Sequence, residues 1–136
     1  MDEEKETVRV IKAGSVPWKQ AGEKGLGIQG LISEGTINKV FISRADPGWS
    51  DSWIYDYVEV LHVLRGEFTV YWDDKKVVAK AGDTICIEPR GRPYLIRWEN
   101  SGKKPAEVFG VLEPHGVDKG RTGMTPKSLR ELLENL

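Results

Sequence analysis

The 136-residue chain reads as an all-β barrel followed by a short C-terminal α-helix. Two patterns carry that reading. From Val8 to Val111, short β-branched and aromatic runs alternate with Gly, Pro, Asp and Asn at the spacing of a sandwich or barrel, with no helical periodicity. From Thr125 onward the period changes: Leu129, Leu132, Leu133 and Leu136 recur at i, i+3, i+4 and i+7.

Strands are expected near Val8 to Ile11, Gly27 to Ser33, Asn38 to Ala45, Tyr57 to Leu64, Glu67 to Trp72, Lys76 to Ala79, Asp83 to Glu88, Tyr94 to Glu99 and Ala106 to Leu112. So many short strands favour closure into a barrel. The breaks between them have mechanisms. Asp46-Pro47-Gly48 fixes a negative φ and then permits a positive one, and Asp73-Asp74 joins a hairpin. Arg65-Gly66-Glu67 and Ala81-Gly82-Asp83 turn in the same way. Residues 1–112 are therefore assigned to the barrel and the polar, Gly-containing stretch 113–124 to a linker. Residues 125–136 form the helix, with Thr125 as N-cap and Pro126 in the first turn. Its leucine stripe needs an apolar partner, either its own barrel or a second copy of the chain.

Composition narrows the partners. A formal net charge of -1 supplies no field to gather nucleic acid or an anionic membrane surface, so neither is expected. The acidic start, Met1-Asp2-Glu3-Glu4, does not read as a signal peptide, and no apolar run reaches the roughly 18 residues of a membrane span. Cys86 is the only cysteine; within Ile85-Cys86-Ile87 it reads as a small buried apolar residue. With no intramolecular disulfide available, a cytoplasmic location is expected.

Two constellations bear on function. Glu59 is followed by six residues and Gly66, and Gly82 is followed by Pro89, Gly91 and Tyr94. In this pattern, over residues 47–113, the chain resembles the cupin superfamily. The resemblance implies a double-stranded β-helix, or jelly-roll barrel, commonly paired as a homodimer. It also implies a metal site of two histidines and a glutamate in the first motif and a histidine in the second. Here Trp53 and Tyr55 stand at the first two histidine positions, Tyr94 at the third, and Trp98 at an asparagine position of the second motif; Glu59 alone is kept. Indole is no ligand and a neutral phenol is a poor one, so neither a metal nor any other cofactor is expected. The remaining route would join Glu59 to Asp51 or Asp56 and a tyrosinate. His62, three residues along a strand from Glu59, points to the opposite face, and His115 falls in the polar segment after the barrel.

If one strand runs through residues 53 to 63, Trp53, Tyr55, Tyr57 and Glu59 share a face, opposed by Tyr94, Ile96 and Trp98. The expected product is an aromatic-walled cavity with one carboxylate. It would suit a small polar ligand such as a sugar, an amine or an organic acid. Glu59 and Tyr94 are the candidate catalytic pair, as for an isomerase or lyase, and Trp53, Tyr55, Tyr57 and Trp98 the candidate ligand-binding walls. The alternatives are aromatics that merely fill the barrel of a sensor or structural module, and a metal-dependent isomerase or dioxygenase with atypical ligands. Whether the chain is an enzyme stays open. A Glu59 carboxyl bonded to a tyrosine hydroxyl or a backbone N–H would mark a structural role, and one facing a cavity a functional role.

Overall fold

The computed structural model describes residues 8–34 and 37–113. Ten strands follow in chain order: β1 (Lys19–Gln20), β2 (Leu26–Glu34), β3 (Ile37–Ala45), β4 (Ser50–Tyr55), β5 (Val58–Arg65), β6 (Glu67–Trp72), β7 (Lys75–Lys80), β8 (Thr84–Ile87), β9 (Tyr94–Glu99) and β10 (Ala106–Glu113). All pairings are antiparallel. They build a six-stranded sheet, β1-β2-β3-β10-β5-β8, facing a four-stranded one, β4-β9-β6-β7. The all-β expectation holds over the described residues. The expected C-terminal helix, 125–136, and all but the first residue of the expected linker lie outside them.

Period-two alternation sets the core. Phe41, Ser43 and Ala45 of β3, Leu61 and Val63 of β5, and Ala106, Val108 and Leu112 of β10 turn inward and are buried. Phe68 and Val70 of β6 and Ile96 and Trp98 of β9 meet them from the smaller sheet. Each of the larger aliphatic and phenyl side chains among them stabilises the fold by about 1.5 to 3 kcal/mol. Gly110 in β10 lets the Phe41 ring lie against its backbone, where a Cβ would overlap the ring. Gly66 turns β5 into β6 at φ 71°, and a Cβ there would stand 2.8 Å from the Ala106 Cα and the Pro105 carbonyl. Asn100, fully buried, donates through Nδ2 to the carbonyls of Ala45 (3.1 Å) and Lys104 (2.9 Å) and accepts from the Gly102 N–H (3.0 Å). A buried amide so completely paired braces the β9–β10 loop internally and ties it to the end of β3.

Three expectations are corrected. Val8 to Ile11 alternates like a strand but joins no strand among the described residues, and Val8 and Val10 are exposed; the short strand at this end is β1, which pairs with β2. The strand through residues 53 to 63 is not continuous. β4 ends at Tyr55 in the smaller sheet, β5 begins at Val58 in the larger one, and Asp56 and Tyr57 form the corner. Cys86 is exposed, because Ile85 and Ile87 take the inward positions of β8 and leave it on the outer face. No helix among the described residues is long and apolar enough to cross a membrane.

Candidate ligand-binding site

The corner at Asp56 and Tyr57 brings residues of both sheets together inside the barrel. Glu59 on β5 is 6% exposed, Tyr55 on β4 and Tyr57 at the corner 3% each, and Trp98 on β9 4%. The Trp98 Nε1–H donates to the Tyr55 hydroxyl oxygen at 2.9 Å, and that hydroxyl donates to Glu59 Oε1 at 3.1 Å. Tyr57 stacks at 5.0 Å from Tyr55, ring centroid to centroid. Burial raises the Glu59 carboxyl to a pKa of about 7, against the lowering effect of the Tyr55 hydrogen bond. Burial, then the nearby Glu59 charge, holds the Tyr55 phenol well above its ordinary value, so it stays a neutral donor.

Beside this cluster the two sheets part. Among the described residues β7 and β8 are the last strands of their sheets, and they do not pair with each other. Between them lies a cleft of about 630 Å³ with walls that include Val70, Trp72, Ile85, Ile87, Tyr94 and Ile96. Asp83, Glu88 and Arg90 also border it. The Tyr94 hydroxyl donates to the Glu88 carbonyl at 2.6 Å, and the Arg90 guanidinium lies 4.3 Å over the Tyr94 ring. Arg90 also grips Asp73 with two nitrogens, at 3.0 and 3.3 Å, joining the β8–β9 loop to the β6–β7 turn. That bond lowers the Asp73 carboxyl, with Lys75 and Arg92 adding to the effect. Asp73 sits at φ 52°, a left-handed conformation that Asp tolerates better than most residues.

Tyr94 borders both regions: it lines the cleft and its ring is 6.4 Å from that of Tyr55. Tyr55, Tyr57, Glu59 and Trp98 come together as the sequence suggests, yet they pack against one another and do not line the cleft. Trp53 joins neither group. Two residues before Tyr55 on β4, it packs on Trp49 at 5.8 Å and against Gly22. Trp72, Arg90 and Asp73 were missed. Alternation from Phe68 through Val70 points Trp72 inward, whereas nothing in the sequence joins Arg90 to Asp73.

The residues at the expected metal positions do not suit a transition metal. They supply one carboxyl of raised pKa, phenols that act as hydrogen-bond donors, and indoles. Among the described residues no three His, Cys, Asp or Glu converge. His62 faces outward, its Nδ1 3.0 Å from Thr84 Oγ1; His115 lies outside the described residues.

The family model described as the cupin domain matches residues 41–112, from β3 to β10. Solved structures similar to the chain include a predicted oxalate decarboxylase from Thermotoga maritima, at 20% identity and a TM-score of 0.63, covering 78% of this chain and 99% of that one. The cupin domain of Drosophila melanogaster CENP-C matches at 20% identity and 0.60, covering 82% and 86%. An RmlC-like cupin from Shewanella frigidimarina matches at 18% and 0.58, covering 79% and 92%. These likenesses are of fold. No curated protein matches the sequence.

Proposed function

Since the chain belongs to the cupin domain family, we propose that it binds a small molecule in the cleft between β7 and β8, with Trp72 and Tyr94 as aromatic walls. The observation behind this reading is the unpaired pair of sheet edges enclosing about 630 Å³, a volume in the range of small-ligand sites (roughly 300 to 1,000 Å³). Tyr94 is held for the task from both sides, by its hydroxyl on the Glu88 carbonyl and by Arg90 over its ring. Glu59, Tyr55 and Trp98 form the packed layer behind it. Binding needs no metal, and the side chains at the family's metal positions offer no set of donors for one.

The proposal places binding ahead of catalysis. Glu59 has a pKa suited to proton transfer near neutrality, but its carboxyl is buried behind the wall while Tyr94 borders the cleft. The closed Trp98–Tyr55–Glu59 chain favours a second reading, a module that has kept the fold and has no ligand. Thermal unfolding with a panel of sugars, amines and organic acids separates the two. Under the first reading at least one panel member raises the midpoint, and Tyr94→Ala and Trp72→Ala abolish the rise. A panel that leaves the midpoint unchanged supports the second.

A further inference from the structure

Resting on the cleft reading above, we infer that the ligand is an amphipathic carboxylate whose apolar body lies against Trp72, Ile85 and Ile87 and whose carboxylate takes the place of Asp73 on Arg90. The walls decide the body. Val70, Ile85, Ile87 and Ile96 have no side-chain hydrogen-bonding groups, so the face of the ligand that lies on them is an alkyl or aryl one, and polar partners are left to the border at Asp83, Thr84, Glu88 and Arg90.

The mouth decides the charge. A tyrosine face is a natural seat for a cation, but that of Tyr94 is already covered by the Arg90 guanidinium at 4.3 Å, which would repel an amine. Its hydroxyl hydrogen is already given to Glu88. Arg90 presents a planar fork of donors at the cleft border, and a carboxylate matches that fork with two parallel bonds. The present occupant, Asp73, belongs to an exposed turn, and solvent-screened pairs of this kind are weak enough to exchange. Lys75 and Arg92 also act on Asp73, so three cations attend one carboxylate there. The other acidic groups at the border leave this arrangement intact. The Asp83 carboxylate accepts from the Lys80 N–H at 2.8 Å and is committed to its own turn. Glu88 is exposed and meets Tyr94 through its carbonyl.

Calorimetric titration with matched probes tests the inference: phenylacetate, indole-3-acetate and hexanoate, each beside its amide, with phenethylamine as the cation. At least one acid should bind at least tenfold more tightly than its amide and should weaken as salt is added. Arg90→Gln should remove that tenfold preference, weakening the acid at least tenfold more than its amide. Asp73→Asn, which removes the competing carboxylate, should tighten the acid severalfold; both substitutions are at the surface and should leave the unliganded midpoint in place. An amide that equals its acid, an acid indifferent to Arg90→Gln, or one weakened by Asp73→Asn overturns the inference, as does a set in which no acid binds. Should a sugar or an amine bind instead and be lost in Tyr94→Ala, the cleft reading stands and only the carboxylate falls.

Discussion

Tyr55 and Glu59 reach across from opposite sheets and share one hydrogen bond, 3.1 Å long, in the interior of the barrel. Because burial raises the Glu59 pKa from 4.5 to about 7, the native state holds a proton that the unfolded chain releases near pH 4.5. Glu59 therefore favours the folded state most at low pH. That advantage is lost as the pH rises from about 4.5 to 7 and stays lost above 7, up to about 3 kcal/mol in all. Glu59→Gln cannot ionise and should lack this slope, so the difference in stability between mutant and wild type should shift in the mutant's favour across that window. Urea unfolding of both proteins from pH 4 to pH 8.5 checks this; parallel pH profiles would sink it.

Removing the Tyr55 hydroxyl should cost more than removing the charge. Tyr55→Phe leaves both the Trp98 N–H and the Glu59 carboxyl without their bond, at about 1 to 3 kcal/mol for each buried group left unpaired. Since the same bond lowers the Glu59 pKa, the acid-to-neutral window of lost stability should also extend above pH 7. Unfolding curves at pH 5 and pH 8 read both effects.

Gly66→Ala should destabilise by about 2 to 4 kcal/mol, because it combines a left-handed φ with a Cβ aimed at the backbone of residues 105 and 106. Gly82→Ala serves as its control. Gly82 also has positive φ, but nothing lies within 4 Å of where its Cβ would stand, so only the conformational part of the cost should appear, about 1 kcal/mol.

In solution we expect a two-fold homodimer built on the outer face of the larger sheet. Val111 on β10 lies between Val40 and Val60, and Phe109 between Ile42 and His62, while Val111 and Phe109 are 42% and 36% exposed. Five strands of this length present on the order of 600 Å² before side-chain relief, close to the ~800 Å² each partner gives to a standard interface. Light scattering should report a dimer for the wild type and a folded monomer for Val111→Lys. A wild-type monomer at tens of micromolar, roughly working concentrations, would refute it.

Much of the barrel could be read from alternation alone. Glu59, Leu61 and Val63 face in, His62 faces out, and Tyr94, Ile96 and Trp98 face in, all as period two requires. What alternation cannot show is where a strand leaves one sheet for the other. No Gly or Pro marks the corner at Asp56 and Tyr57, so Trp53 looked like a companion of Glu59 when the sheet change sends it to Trp49. The cleft was hidden for a related reason. It exists because β7 and β8 do not pair, and a missing pairing between two ordinary strands leaves no local trace in sequence. The short apolar run around Cys86 and the alternation of Val8 to Ile11 misled because each describes a strand without saying what lies beside it.

The position of β10 has a consequence for the order in which the molecule can be built. This strand, the last of those described, lies in the middle of the larger sheet, pairing with β3 on one side and β5 on the other. As the chain is synthesised from its N-terminus, β2 with β3 and β5 with β8 can form only as separate halves, with a strand-wide gap between them. The gap closes when residues 106 to 113 emerge, so a nascent chain stalled before Ala106 holds all four strands of the smaller sheet but two exposed inner edges in the larger one, and the barrel is completed by a late, long-range pairing.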